Sequence, residues 1–428
     1  MQKIIHSKNF IFLISSLPFL LITGPFLSDL VVSISSILFL IFVVLKKELS
    51  LFRNNYFYFF IAFCILIFIS SSISADPLLS YESSLFYFRI IIFAFLISYL
   101  INYDKKILNY FYNVLLICFS ILIFDGYIQF IFGKNIFLIP SDYGRVASFF
   151  GKELVLGSYL SRLFPLFFAL FLIKKKKKYD NYIIATIFVS LDVLIYLTGE
   201  RTSFFLLNIS TIYIIILINE YKVFRILTFI ISILIIIIIT VTNEGIKQRM
   251  VDQPLNSIEI NNNKNFNDQP KLDKKIFSDQ HTKIYFTAFE MFKDKPILGH
   301  GPKIFRLSCK NYKLDEMGDG CSTHPHNFYL QLLVETGIIG FSFIFIALLY
   351  LIKETFYILI RKKKVTSQEI CLLSCFLITL WPIAPTGNIF NNWLMIVYIL
   401  PLGFYLNIKL SKKKISKRNY NKKFLKFL

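Results

Sequence analysis

Apolar residues run along this chain in blocks too long and uniform for a solvated surface, as in IISILIIIIIT at 230–240. A helix needs about 17 to 25 mostly apolar residues to cross a bilayer. Reading for such segments predicts twelve: 10–26, 29–45, 56–73, 84–101, 107–124, 155–173, 182–198, 203–219, 224–242, 328–352, 369–386 and 390–408. No succession of short segments alternating apolar and polar positions appears, so a membrane β-barrel is excluded and helices must do the crossing. The first segment has no small-residue cleavage site and a second follows at once, so it reads as a helix and not a signal peptide. The expected fold class is an all-α integral membrane protein of about twelve transmembrane helices.

The polar connections orient these helices. With the N-terminus in the cytoplasm, the connections on that side carry twenty-eight Lys or Arg, and the short connections opposite carry four: Lys134, Arg145, Lys152 and Arg201. Positive residues stay inside, so both termini are expected in the cytoplasm. Three parts follow: a nine-span bundle (1–242), one long outer loop (243–327), and a three-span bundle with a basic tail (328–428). In the loop, Gln253 to Asp279 is rich in Asn, Asp and Lys and reads as a mobile segment. Beyond it, TKIYFTAFEMF (282–292) places Ile284, Ala288 and Met291 on one helical stripe before the break KPILGHGP. That pattern predicts an interfacial amphipathic helix.

Composition agrees: 428 residues, 56% hydrophobic and 17% charged, with 49 Phe and 24 Tyr, do not describe soluble domains. A net charge of +21 would suggest nucleic acid in a soluble protein. Here the cations sit in short blocks between spans and set topology, so the partner they imply is the lipid bilayer and no nucleic acid is expected.

Charges within spans are candidates for function or for anchoring. Arg89 and Arg162 each lie about 10 Å below the outer end of their span, where snorkelling or helix pairing is the alternative reading. Arg145 in GRVASFFGKE and Arg201 in LTGERTSFF stand on the cation-poor face. Guanidinium is the preferred planar donor to phosphate, although Arg201 could simply pair with its neighbour Glu200. In THPHNFYLQLLVETGIIGF (323–341), Pro325 predicts a helix start that puts His326 and Asn327 in the first turn of the tenth span. Amide groups there favour an anion and lower an imidazole pKa, which makes His326 a candidate general base; an interfacial histidine is the alternative. Cys309 and Cys321 are the cysteines of the outer side, while Cys64, Cys118, Cys371 and Cys375 lie in spans. A disulfide fits them better than a zinc site shared with His324 and His326, since H-x-H without CxxC or HExxH is a weak signal; no metal is assigned. GHG at 299–301 reads as a turn.

His-Asn, nine residues, then Gly, met by His326, Asn327 and Gly337 with Gly340 following, resembles the signature of the O-antigen ligase and O-antigen polymerase superfamily, which includes protein O-oligosaccharyltransferases. FEMFKDKPILGHGPKIF is similar to that family's amphipathic helix and Gly-x-Gly turn, and GRVASFFGKELVLGSYL and GERTSFF to its two arginine motifs. The resemblance implies a cofactor-free glycosyltransferase of the bacterial inner membrane with a periplasmic active site. It would move a glycan from undecaprenyl diphosphate to a hydroxyl of lipid A core, a growing glycan or a protein. Arg145 and Arg201 would bind the diphosphate and His326 would assist attack. Arg89, Arg162, His324 and Asn327 complete the candidate substrate-binding set. Where members often carry an arginine four residues before an aromatic, this chain has His281 before Tyr285. No paired carboxylates stand near the motifs, so a single displacement with inversion is expected. A lipid-linked glycan flippase or other transporter is the competing class; the collection of candidates on one face favours the enzyme.

Overall fold

The structure, a computed structural model, describes residues 1–141, 144–174, 179–259, 277–312, 320–361 and 365–424. No strand occurs among them, and the chain is an all-α integral membrane protein. Its principal helices are α1 (Lys8–Ser15), α2 (Leu17–Ile22), α3 (Pro25–Leu45), α4 (Asn55–Ser72), α5 (Pro77–Ser84), α6 (Arg89–Tyr103), α7 (Lys106–Phe132) and α8 (Leu156–Ile173). They continue with α9 (Asp180–Leu197), α10 (Arg201–Leu217), α11 (Lys222–Thr242), α12 (Asp279–Asp294), α13 (Phe328–Leu359), α14 (Ser367–Thr379) and α15 (Asn392–Phe424).

Among the described residues, nine stretches are long and apolar enough to cross a bilayer: α3, α4, α5 with α6, α7, α8, α9, α11, α13 and Asn392–Lys412 of α15. Two further apolar helices, α10 and α14, have 17 and 13 residues. Side-chain caps start several of them. Asn54 accepts from Phe57 N at 3.1 Å before α4, and Asp76 accepts from Leu79 N at 3.1 Å before Pro77.

The expected helix over 10–26 is instead two short helices, α1 and α2, parted at Ser16. Pro18 cannot continue the hydrogen-bond ladder through that point. The carbonyl of Pro18 accepts from the Tyr159 hydroxyl at 2.7 Å. The helix expected over 369–386 stops at Thr379, and 380–391 runs irregularly, because Pro382 and Pro385 lack amide donors. Within the segment expected to be mobile, Gln253–Glu259 is helical, and 260–276 lie outside the described residues.

Helices α6, α8 and α15 form the centre of the bundle, carrying buried Phe93, Ile97, Tyr159, Phe167 and Tyr405. Gly403 lets α15 approach α6: a Cβ there would lie 2.7 Å from Ile97 Cβ. At one end of the bundle Lys409 binds Glu354 and Glu369, each at 2.8 Å, and Lys412 also reaches Glu369. The candidate residues gather at the other end.

Candidate active site

Helix α13 starts later than Pro325 alone predicts. Asn327 is its N-cap, extended at φ −150°, with its side-chain oxygen accepting from Tyr329 N (2.9 Å) and Leu330 N (3.2 Å). Its amide donates to the Pro382 carbonyl at 2.8 Å. His326 therefore lies outside the first turn, in the left-handed region at φ 53°. A non-glycine residue held there costs about 1–3 kcal/mol and clusters at functional sites. The Thr386 amide, donating to the His326 carbonyl at 2.8 Å, helps to hold it.

Three histidines meet at this point. The ring of His326 is 4.1 Å from that of His324 and 5.6 Å from that of His281. His326 Nε2 lies 3.0 Å from Ser322 Oγ, and His281 Nδ1 lies 2.8 Å from Ser278 Oγ at the start of α12. Burial lowers the pKa of all three. In His324 burial and then His326 bring it to about 4, with Arg306 adding repulsion. The lowering at His326 comes from burial and from His281, not from the expected helix end. Near neutral pH the three imidazoles are uncharged and can accept protons.

The spacing from His326 to Gly337 has a structural cause. Gly337 interrupts α13 at φ 65°, ψ −170°, where an unbroken helix was expected. The turn 296–301 inserts against the break: His300 N donates to Val334 O (2.9 Å), Gly301 N to Glu335 O (2.8 Å), and Ile338 N to Pro296 O (2.8 Å). Backbone freed within a membrane helix must be satisfied by protein in this way. The stripe of Ile284, Ala288 and Met291 on α12 packs on Phe305, Cys309 and Val334, so it covers this insertion and does not face lipid as an interfacial helix would. A disulfide joins Cys309 to Cys321 beside it.

The arginines form a second group. The loop carrying Arg145 is clamped from α7. Asp125 accepts from Ser148 Oγ (2.5 Å) and Ile136 N (2.9 Å), and Gln129 accepts from Ala147 N (2.8 Å) and Ser148 N (2.7 Å). Arg145 Nε donates to Thr198 O at 3.1 Å. Glu200 does not pair with Arg201. Its carboxylate accepts from Gly157 N (2.7 Å), Ser158 N (2.9 Å) and Ser203 Oγ (2.8 Å), so it is spent on starting α8 and α10. Burial raises the Glu200 pKa, opposed by these hydrogen bonds and by Arg145. Arg201 turns to the far end of α11: its Nε donates to Arg249 O (3.1 Å) and its Nη2 to Gln253 Oε1 (2.8 Å). A cavity of about 450 Å³ adjoins, bounded by Gly144, Tyr196, Gly199, Asn243, Arg249 and Gln253.

The structure thus groups His281, His324 and His326, caps α13 with Asn327, sets Arg145 near Glu200 and turns Arg201 to Arg249 and Gln253. It gives Arg89 and Arg162 helix-pairing work. Arg89 bonds Asp29 at 2.8 Å, and Arg162 bonds Ser158 Oγ and the Ile378 carbonyl, each at 3.2 Å, beneath the Tyr398 ring. Sequence reading missed Arg249, Arg306, Thr386 and Gln331, which bonds both Glu335 (2.9 Å) and Asn388 (2.7 Å). Only the proline-rich run WPIAPTGN hinted that 380–391 leaves the helix. Among the described residues no group of His, Cys, Asp or Glu is arranged to hold a metal.

Residues 183–345 match the family model described as O-antigen ligase. The match contains Glu200, Arg201, Arg249, the three clustered histidines and Gly337; Arg145 precedes it. No curated protein matches the chain significantly.

Proposed function

We propose, starting from this chain's membership of the O-antigen ligase and polymerase superfamily, that it transfers a glycan from a lipid diphosphate to an acceptor hydroxyl. The donor is undecaprenyl-diphosphate-linked glycan, and the reaction faces the periplasm across the bacterial inner membrane, with both termini cytoplasmic. The observation that carries the reading is His326: a neutral imidazole held in a strained backbone at the mouth of a membrane helix, at the bundle end that also gathers the arginines.

The chemistry follows from these groups. His326 takes the acceptor proton, the acceptor oxygen bonds to the anomeric carbon, and the bond from that carbon to the diphosphate oxygen breaks. Arg145 and Arg201 stabilise the departing diphosphate, so the step needs no metal and inverts the anomeric centre. An aromatic-lined cavity of about 690 Å³ extends from Lys409 to Phe328, two residues after His326 in the chain, and offers an apolar path for the lipid part of the donor. Lipid A core, a growing glycan and a protein are the acceptor classes in view.

The surface glycan of a deletion strain tests this reading. Bare core with accumulated lipid-linked polymer identifies a ligase, and core bearing a single repeat identifies a polymerase. An unchanged glycan and glycoprotein profile would refute the transferase.

A further inference from the structure

The cavity beside Gly199 is lined by a cation, Arg249, to which the transferase reading gives no role. Arg249 sits in a π-helical turn, Gln248–Asp252, a geometry that recurs at functional sites. Its guanidinium lies across Gly199 so closely that a Cβ there would be 2.3 Å from Arg249 Nε. Gly199 adopts φ 69°, so both its conformation and the contact exclude a side chain. Arg249 Nε is buried and makes no hydrogen bond among the described residues. The Arg249 carbonyl anchors Arg201, whose other contact is the neutral Gln253. Burial lowers the pKa of both guanidinium groups, and at Arg201 the charge of Arg249 adds to that lowering. Two guanidinium groups are therefore held together and partly desolvated, and among the described residues no carboxylate pairs with either. Like charges placed in this way repel, and a bound anion removes the repulsion.

We propose that Arg249 is an anion-binding residue and that it seats a phosphoryl group in the cavity bounded by Gly144, Gly199, Asn243 and Gln253, with Arg201 held behind it by the Arg249 carbonyl. The planar fork of Arg249, with the charge of Arg201 near it, suits the several oxygens of a pyrophosphoryl group. The proposal rests on the transferase reading only for the source of that group, the lipid-linked donor. Another source with the same chemistry is the phosphate of a bilayer lipid.

The test uses the full chain in nanodiscs of zwitterionic lipid, titrated with inorganic pyrophosphate and followed by calorimetry and by thermal unfolding. Pyrophosphate should bind and raise the unfolding temperature. Arg249→Gln should weaken binding about tenfold or more, the order expected for losing a charge-assisted hydrogen bond, and should abolish the temperature shift. Without ligand, Arg249→Gln should unfold no earlier than the parent, because a repulsion has been removed. Arg249→Lys, which keeps the charge and loses the fork, should bind weakly as well, and serves alone if the glutamine variant does not fold. Equal pyrophosphate affinity in the variants, or ligand-free destabilisation with affinity unchanged, would overturn the proposal. Competition by anionic-lipid nanodiscs, without competition by purified lipid-linked donor, would overturn the donor as the source. The outcomes separate the two readings: pyrophosphate binding through Arg249 in a chain that transfers no glycan refutes the transferase, and transfer with an unchanged donor KM in Arg249→Gln refutes the anion seat.

Discussion

A Cβ on Gly337 would lie 2.1 Å from the carbonyl oxygen of Ile297, closer than any side chain can come. The glycine breaks a membrane helix so that the turn carrying Gly299 and Gly301 can bond to it, and this contact ties the 279–312 segment to the helix that His326 precedes.

Gly337→Ala should therefore damage the site from eleven residues away. It imposes both a left-handed conformation and an overlap with backbone, and overpacking alone costs about 1–3 kcal/mol. Thermal unfolding of the purified variant should fall and 296–301 should become protease-sensitive. Parent-like stability and protection would show that the insertion is not rigid.

Asp125 is a positioning residue for Arg145. Asp125→Ala removes the acceptor for both Ser148 Oγ and Ile136 N, a loss of roughly 1–3 kcal/mol for buried donors left unsatisfied. The donor KM should rise more than kcat falls, and Asp125→Asn, which keeps an acceptor oxygen, should recover part of it. An unchanged KM in the alanine variant would mean that the loop is held without Asp125.

His326→Ala should lower transfer by about 10² to 10⁴-fold while leaving donor binding intact. The base acts in its neutral form, and its pKa lies below the ordinary 6.5. The rate should thus be level through neutrality and fall only as pH drops through that lowered value. A limb centred above 6.5, or wild-type rate in the variant, would assign the proton to another group. His324→Ala should cost less, since at about 4 its imidazole is the weaker base.

Arg145→Lys and Arg201→Lys should both reduce transfer despite keeping the charge, because an ammonium group cannot reproduce the planar fork on phosphate. Full turnover in both would remove them from the diphosphate site, and added chelator should leave the parent rate unchanged.

The bridge between Cys309 and Cys321 leaves Cys64, Cys118, Cys371 and Cys375 free. Denatured, unreduced protein should accordingly show four reactive thiols. Replacing both bridged residues by Ser should loosen the packing of α12 on Phe305, with a cost of about 2–4 kcal/mol. Six reactive thiols would exclude the bridge.

The apolar segments, the charged connections and the amphipathic stripe of α12 were legible in the sequence, because lipid leaves a spanning chain no choice but internally bonded helix. The His-Asn-x9-Gly spacing was legible as a pattern, but its reason was not: Gly337 is required by Ile297, forty residues earlier in the chain, and only the folded chain brings the two together. Tertiary structure likewise decided that Arg89 pairs with Asp29, that Glu200 turns away from Arg201, and that His326 stands outside its helix because Asn327 caps it and Thr386 holds it. No local pattern marks Arg249 in the sequence; a single π-helical turn and the bare backbone of Gly199 give its guanidinium a place. Local preference sets where a helix can form, whereas the partner of a buried charge is set by residues far away in the chain, which no local pattern records.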